Sequence, residues 1–218
     1  MKFFIDTANL DQIREANELG VLDGVTTNPS LMAKEGIKGV ENQRKHYVDI
    51  CNIVDGDVSA EVIATDYEGM IREGEELAAL HPNIVVKVPC IEEGIKAIKY
   101  FNKKGIRTNC TLVFSVGQAL LAAKAGATYV SPFVGRLDDI SSDGIDLIYK
   151  IVEVYSTYDF KTQVLAASIR STQHIIQCLE AGSDVATCPL AAIKGLLKHP
   201  LTDSGLATFL ADYKKVNG

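Results

Sequence analysis

Short apolar runs and amphipathic stretches alternate along the whole chain. The short runs are rich in β-branched residues, as in buried parallel strands, and the longer stretches carry apolar residues at helical spacing. Eight strands are predicted, at Lys2–Asp6, Val21–Val25, Val58–Ile63, Asn83–Pro89, Ile106–Val113, Ala127–Val134, Gln163–Ser168 and Asp184–Cys188. Helices are predicted at Leu10–Leu19, Val40–Ile53, Tyr67–Leu80, Ile91–Lys103, Val116–Ala125, Gly144–Tyr155, Thr172–Ala181 and Ala191–Lys198, with a last amphipathic helix at 205–217.

This alternation predicts an α/β fold, a single (β/α)8 TIM barrel over residues 1–218 with an extra C-terminal helix. The alternative is an open doubly wound sheet, which typically has a glycine-rich phosphate turn after its first strand. Asp6-Thr7-Ala8-Asn9 is not such a turn, so the barrel is preferred. No linker or low-complexity tract indicates a second domain.

One lysine stands out because it lies inside a predicted buried strand, Asn83–Pro89. Lysine is among the residues least often buried, since its ammonium loses its water there. Burial disfavours the charged form and leaves a useful fraction of the amine as a free nucleophile, as a Schiff-base lysine requires. The alternative for Lys87 is an ordinary strand-end lysine whose ammonium reaches into water.

Polar residues stand at seven of the eight predicted strand ends, where TIM barrels build their active sites. They are Asp6, Thr26-Thr27-Asn28, Glu61, Lys87, Asn109 with Thr111, the segment Ser131 to Arg136, and Ser168 to Arg170. Each alone is equally consistent with a helix cap, an ion-pair partner or a solvated loop residue, but their convergence on one mouth favours a site. The eighth strand ends with Thr187-Cys188, to which we assign no role.

These side chains suggest a reaction. An amine can add to a ketone and form an iminium, an electron sink for breaking the adjacent carbon–carbon bond. Asp6 or Glu61 can act as the base, and Arg136 and Arg170 can bind a phosphate. Asn28, Asn109 and Ser168 can hold sugar hydroxyls. The residues therefore predict a lysine-dependent aldol cleavage or transfer on a phosphorylated ketose.

Composition narrows the classes of partner. The net charge of −6 argues against a broad nucleic-acid surface. Five cysteines without a CxxC pair indicate reduced thiols in the cytoplasm, and the four histidines show no metal-binding spacing, so no metal is predicted. The N-terminus enters a strand pattern without a signal peptide, and no apolar run is long enough to predict a membrane span.

Several blocks of the sequence resemble the transaldolase family, in its short bacterial and archaeal subfamily, which also contains the fructose-6-phosphate aldolases. The blocks run in the family's order over essentially the whole chain: Asp6–Asn9, Gly24–Ser30, Val58–Val62, Val86–Pro89, Asn109–Ser115, Ser131–Arg136 and Ala167–Arg170. The resemblance implies a (β/α)8 barrel that works without a cofactor and assembles into homo-oligomers, as pentamers or decamers.

The resemblance also implies roles for individual residues. Lys87 falls at the Schiff-base lysine and Asp6 at the acid/base residue for the C4 hydroxyl. Glu61 and Thr111 fall at positions that hold the water used in proton transfer. The implied substrate contacts are Thr27, Asn28, Asn109, Ser131 and Phe133 around the dihydroxyacetone unit, and Arg136, Ser168 and Arg170 at the phosphate.

Two positions bear on which reaction is expected. The aldolase branch has glutamine where this chain has Glu61, and tyrosine where it has Phe133. The resemblance therefore favours a transaldolase of the pentose phosphate pathway, which converts sedoheptulose 7-phosphate and glyceraldehyde 3-phosphate into erythrose 4-phosphate and fructose 6-phosphate. The alternatives are a fructose-6-phosphate aldolase that releases free dihydroxyacetone, and a sugar-phosphate-binding barrel without catalysis. The last helix either packs on its own barrel or, as the resemblance implies, contacts a neighbouring subunit.

Overall fold

The computed structural model describes residues 1–218 and contains a closed barrel of eight parallel strands. The strands are β1 (Lys2–Asp6), β2 (Gly24–Thr26), β3 (Asp57–Glu61), β4 (Ile84–Pro89), β5 (Thr108–Val113), β6 (Tyr129–Pro132), β7 (Gln163–Ala166) and β8 (Val185–Cys188). Each strand pairs with the next in the sequence, and β8 closes the barrel on β1, with Phe4 opposite Thr187. The predicted TIM barrel is confirmed.

Eleven helices surround or extend the barrel. They are α1 (Leu10–Glu18), α2 (Pro29–Lys34), α3 (Val40–Cys51), α4 (Tyr67–Ala78), α5 (Glu92–Lys103), α6 (Val116–Ala125), α7 (Val134–Asp138), α8 (Gly144–Thr157), α9 (Thr172–Glu180), α10 (Leu190–Gly195) and α11 (Pro200–Asn217). No helix is both long enough and apolar enough to cross a membrane.

The structure corrects several predicted boundaries. The second strand covers Gly24–Thr26 instead of Val21–Val25, and the half-exposed Val21 lies outside it. Helix α2 was not predicted, although Pro29 at its first turn and the Asn28 cap are both typical start signals. Helix α11 begins at Pro200 instead of 205, because Pro200 again provides a preorganised first helical residue and His199 caps it.

The lower half of the barrel interior is filled with apolar side chains. Phe4 and Tyr129 meet edge to face with ring centroids 5.9 Å apart, and Val85, Leu165 and Val185 pack beside them. Gly24 is required here, because a Cβ on it would lie 2.6 Å from the Phe4 ring. Polar side chains lie on both sides of this plug: the Tyr129 hydroxyl donates to Asp57 at the lower end, and a polar cavity occupies the upper, C-terminal half.

A larger core of 45 buried residues fills the layer around the barrel wall. It holds the outward-facing strand residues and the apolar faces of helices α1 to α10 in one continuous cluster. Helix α11 takes no part in this core, since none of its residues is buried. The barrel wall is therefore packed between the inner apolar cluster and this outer core.

Candidate active site

A polar cavity opens at the C-terminal mouth of the barrel. Its wall is formed by residues of β1, β2, β4, β5, β6 and β8 and of the loops that follow the strands. The lining residues are Asp6, Thr26, Asn28, Lys87, Thr111, Ser131, Phe133, Arg136, Ala167, Ser168 and Thr187. Eight of the twelve predicted site residues thus line one cavity, and the other four, Thr27, Glu61, Asn109 and Arg170, lie around it.

Lys87 is the central side chain of this cavity. It lies on β4 and is only 6% exposed, so its amine is accessible only from the cavity. The Nζ atom donates a hydrogen bond of 3.1 Å to the carbonyl oxygen of Thr27 and lies 3.1 Å from Oε2 of Glu61. The amine therefore points to a defined place in the mouth, and it has polar partners there instead of the apolar surroundings that the strand pattern suggested.

Glu61 supports Lys87 from the neighbouring strand. The parallel register places Glu61 of β3 directly opposite Lys87 of β4, so the two side chains share the inner face. The backbone N–H of Glu61 donates to the hydroxyl of Tyr47, and burial raises the pKa of that phenol to about 12, so Tyr47 stays neutral. Glu61 does not line the cavity, and its carboxylate contacts the amine of Lys87.

Asp6 provides a second carboxylate, at the end of β1. Thr26 Oγ1 donates a hydrogen bond of 2.8 Å to its Oδ1. Desolvation in the barrel mouth raises the pKa of Asp6 above its ordinary value, while the charge of Lys87 and the Thr26 hydrogen bond partly offset this rise. A carboxylate whose pKa is raised is a better proton acceptor, which suits a general base.

Asn109 and Ser131 form a hydrogen-bonded pair beside the lysine. Asn109 lies opposite Lys87 on β5, donates through Nδ2 to Ser59 Oγ at 3.1 Å, and accepts from Ser131 Oγ at 2.7 Å. Because the Ser131 hydroxyl donates its one proton to Asn109, it can act only as a hydrogen-bond acceptor towards a ligand in the cavity. Asn109 is fully buried beneath the cavity wall, so it orients Ser131.

Two further predicted contacts have unused polar atoms facing the cavity. The hydroxyl of Thr111 is buried and has no hydrogen-bond partner in the protein, so a polar group of a ligand would satisfy it. Asn28 accepts from the backbone of Leu31 and caps α2, which uses its oxygen and leaves its amide nitrogen free. The helix-cap and ligand-binding interpretations of Asn28 are therefore compatible. Thr27 is buried and contributes its carbonyl oxygen to Lys87.

The far side of the cavity carries a positive charge and an aromatic ring. Arg136 on α7 places its guanidinium 4.9 Å from the centre of the Phe133 ring, a cation–π contact that holds it at the cavity edge. Ser168 lines the same edge and has φ +58°, a left-handed conformation that is uncommon for a residue other than glycine. The backbone N–H of Gly135 holds this turn by donating to the carbonyl of Ser168 at 3.0 Å.

Arg170 is arranged differently from the expectation. It does not line the cavity, and its guanidinium makes two hydrogen bonds to the carboxylate of Asp139. The hydrogen bonds from Arg170 lower the pKa of Asp139, so this carboxylate remains ionised. It occupies the N–H donors of Arg170 that a phosphate would use. In this structure Arg136 is thus the one predicted phosphate ligand with a guanidinium on the cavity.

Besides Thr26 and Ala167, the lining includes Thr187, for which no role is predicted from the sequence. It is buried at the end of β8 and lies 2.6 Å, oxygen to oxygen, from Thr26. Thr187 is a polar residue at the end of the eighth strand, just as the predicted site residues stand at the ends of the other seven strands. No role is predicted for it because threonine is also an ordinary strand former.

The structure offers no evident metal-binding group, since no three His, Cys, Asp or Glu side chains come close enough together to hold an ion. All five cysteines are free thiols. The arrangement supplies one buried amine, two carboxylates, several hydroxyls and one cavity-facing guanidinium. These groups can form an imine, move protons around it and bind an anion at a fixed distance.

The family model for transaldolase/fructose-6-phosphate aldolase matches residues 3–217 of the chain. The chain belongs to this family. It is 90% identical over 218 residues to a "Probable transaldolase" of Parabacteroides distasonis, and each protein is covered completely. Similar proteins with the same name are found in Bacteroides thetaiotaomicron, at 82% identity, and Cytophaga hutchinsonii, at 75%, again with complete coverage of both chains.

A solved structure supports the fold independently. A crystal structure described as that of a fructose-1,6-biphosphate aldolase from Coccidioides immitis superimposes with a TM-score of 0.59 at 16% identity. The match covers 87% of this chain and 74% of the other. At this level of identity the likeness concerns the barrel alone, and the chemistry of the family member has to be argued from its own side chains.

Proposed function

We propose that this transaldolase-family protein transfers a dihydroxyacetone unit between phosphorylated sugars through an imine on Lys87. One observation carries the proposal: the Lys87 amine lies buried in a polar cavity, within hydrogen-bond distance of Glu61 and on the same cavity wall as Asp6. A binding protein for sugar phosphates needs neither a buried amine nor two carboxylates around it. The arrangement therefore favours catalysis over binding alone.

The first stage is imine formation. The neutral amine of Lys87 attacks the C2 carbonyl of a ketose phosphate, and the carbinolamine loses its hydroxyl as water to leave an iminium. Glu61 lies beside Nζ and can accept its proton, which a water can carry to the departing hydroxyl. The unpartnered hydroxyl of Thr111 can hold that water during the exchange.

The second stage is cleavage of the carbon–carbon bond. Asp6 takes the proton of the C4 hydroxyl, the C3–C4 bond breaks, and its electron pair moves to the iminium and forms an enamine. The aldehyde phosphate leaves, and the three-carbon unit stays bound to Lys87. Ser131 and Asn28 line the cavity and can hold the hydroxyls of this unit. In the last stage an acceptor aldehyde reacts with the enamine, and the same steps run in reverse.

The phosphate is expected at the opposite end of the cavity. Arg136 and Ser168 lie together there, and the cation–π contact with Phe133 fixes the guanidinium. Arg170 reaches the phosphate only if it leaves Asp139 or shares its donors between the two anions. This geometry supports a substrate with a phosphate at one end and a ketone at the other.

Phe133 favours transfer over simple aldol cleavage. Its ring lines the cavity and packs on Phe114 with centroids 5.5 Å apart, so the enamine faces a hydrocarbon surface instead of a phenol. Because a phenyl ring cannot donate a proton, the enamine persists until an aldehyde arrives. The second candidate function is a fructose-6-phosphate aldolase, which releases dihydroxyacetone without an acceptor.

The decisive experiment measures glyceraldehyde 3-phosphate released from fructose 6-phosphate with and without erythrose 4-phosphate. Sustained release that requires the acceptor supports the transaldolase, whereas equal release in both reactions identifies an aldolase. Borohydride reduction in the presence of fructose 6-phosphate should add the three-carbon unit to Lys87, as read by peptide mass spectrometry. Lys87→Met should abolish the adduct, while the exposed Lys99→Met should not. Absence of any adduct on the wild-type protein would contradict the mechanism.

The proposal includes an assembly of several copies in the cytoplasm. Helix α11 supports the assembly because its apolar residues are exposed, with Phe209 at 74% and Val216 at 82%. An exposed apolar stripe of this length is typical of an interface between chains. The five free thiols support a reducing compartment.

A further inference from the structure

Two threonines from different strands meet across β1, immediately beside Asp6. Thr26 lies on β2, opposite Asp6 in the register, and Thr187 lies on β8, opposite Phe4. Their hydroxyl oxygens are 2.6 Å apart, and each residue is 2% exposed. The contact thus links the three strands β8, β1 and β2 at the level of the carboxylate.

The direction of the hydrogen bonds follows from proton counting. A hydroxyl has one proton, and that of Thr26 is donated to the ionised carboxylate of Asp6 at 2.8 Å. The 2.6 Å contact can then form only if Thr187 donates to Thr26. When Asp6 is protonated the chain can reverse, so that Asp6 donates to Thr26 and Thr26 to Thr187. Both protonation states of Asp6 therefore find a complete chain of hydrogen bonds.

We propose that Thr187 is a positioning residue that acts on Asp6 through Thr26. A hydroxyl that accepts a hydrogen bond becomes a stronger donor, so Thr187 strengthens the bond from Thr26 to the carboxylate. Hydrogen bonds to the charged form of a carboxyl favour that form. Hydrogen bonds to an ionised carboxylate are stronger than those to the neutral carboxyl group. The net effect of Thr187 is therefore to keep Asp6 ionised, which is the form that can accept a proton.

The other charges around Asp6 do not provide this function. Lys87 attracts the carboxylate and Glu61 repels it, and in the proposed reaction the charge of each changes as protons are transferred. The nearby thiol of Cys188 is neutral, because burial raises its pKa far above neutrality. The two threonines do not ionise, so they remain the constant partners of Asp6 throughout the reaction.

The catalytic consequence rests on the function proposed above, and it is tested by the pH dependence of kcat for the transfer reaction. Thr187→Val keeps the branched shape and removes the hydroxyl. We expect the acid limb of the profile to move up by about 0.5 pH unit, about a threefold loss at a fixed pH on that limb. Thr187→Ser should restore the wild-type limb. The matched control is Thr108→Val, since Thr108 is also buried and its hydroxyl has no partner.

A double-mutant cycle separates this action from direct substrate contact, because Thr187 also lines the cavity. Thr187→Val added to Thr26→Val should cause no further shift of the acid limb. An equal shift in both backgrounds, or a raised KM with an unmoved limb, would overturn the proposal.

An infrared titration of protein labelled with ¹³C-aspartate measures the pKa of Asp6 directly. This measurement does not depend on enzymatic activity. The band is assigned by its loss in Asp6→Asn. We expect the pKa of Asp6 to be higher in Thr187→Val than in the wild type, and equal values would refute the role of Thr187. If the wild type forms no Lys87 adduct, the proposed function fails, while this titration still decides the hydrogen-bond chain.

Discussion

Glu61 and Lys87 lie opposite each other on adjacent strands, with Oε2 of the carboxylate 3.1 Å from Nζ of the amine. Both side chains are nearly buried, at 14% and 7% exposure. Removing two charges from water costs free energy that their attraction repays only in part, so a buried ion pair is weak evidence for a role in stability. The pair is better explained by a carboxylate held beside the amine so that the two can exchange protons.

The first prediction concerns Glu61→Gln, which keeps the shape and removes the carboxylate. We expect the rate of imine formation to fall by about 100-fold, a typical contribution of one acid/base group. The measurement is the time course of borohydride trapping on Lys87. The control is Glu18→Gln, an exposed glutamate of α1. Trapping at the wild-type rate would show that Glu61 takes no part in proton transfer.

The second prediction is that Asp6→Asn stabilises the protein at neutral pH and abolishes cleavage. Desolvation raises the pKa of Asp6 in the folded state, so at pH 7 the ionised carboxylate is less favourable folded than unfolded. Asparagine removes that charge and can still accept from Thr26. The midpoint of thermal unfolding should therefore rise, by about 2–4 °C for each kcal/mol gained.

The pH dependence of this gain has a defined sign. Below the unfolded pKa of an aspartate, about 3.9, Asp6 is protonated in both states and the gain should vanish. As the pH rises through the folded pKa, the gain should reach its full value. The control is Asp55→Asn, at an exposed turn residue. An asparagine variant that is less stable at pH 7 would mean that the attraction of Lys87 outweighs desolvation.

The strand-end rule explains why so much of the site could be predicted from the sequence. In a closed parallel barrel, side chains alternate between the interior and the outer layer, so every second residue near a strand's carboxyl end faces the mouth. The convergence of Asp6, Lys87 and Ser131 on the mouth follows from this rule, while the choice of Lys87 as nucleophile rests on its buried strand and the role of Ser131 on the family resemblance. The pairing of Arg170 with Asp139 does not follow from the rule, because the two residues are 31 positions apart and their contact depends on how α7 is placed. The hydrogen bond of Thr187 does not follow either, because threonine is common in strands for its β-propensity alone, and no sequence pattern marks one whose hydroxyl is bonded to another side chain.

The third prediction tests whether Asp139 competes with phosphate for Arg170. Asp139→Asn removes a negative charge beside Arg136 and frees the guanidinium of Arg170. We expect the KM for fructose 6-phosphate and the inhibition constant of inorganic phosphate to fall by about threefold or more at low salt. The difference should shrink as salt screens these exposed charges. Asp159→Asn, on the surface next to Lys161, is the control. A raised KM would show instead that Asp139 holds Arg170 in its working position.

The fourth prediction concerns the product released by Phe133→Tyr. The new hydroxyl would lie on the cavity wall, where it can protonate the enamine and release dihydroxyacetone. We expect cleavage of fructose 6-phosphate without an acceptor to rise by at least tenfold, measured as glyceraldehyde 3-phosphate. Phe114→Tyr is a useful comparison, because Phe114 packs on Phe133 but does not line the cavity. If Phe133→Tyr gains no cleavage without acceptor, the proton-donor explanation of this position is wrong.

The fifth prediction concerns helix α11 and the assembly of the protein. Leu206, Phe209, Leu210 and Tyr213 follow one another at helical spacing, and all four are more than half exposed. If a second copy covers this stripe, Phe209→Asp should split the assembly into smaller species, as measured by light scattering during size-exclusion chromatography. Thr208→Asp places the same charge on the opposite side of the helix and should leave the mass unchanged. Because α11 adds no buried residue to the barrel, both variants should retain the wild-type circular dichroism spectrum. A wild-type protein that is already monomeric, or a Phe209→Asp variant of unchanged mass, would show that this stripe does not hold the copies together.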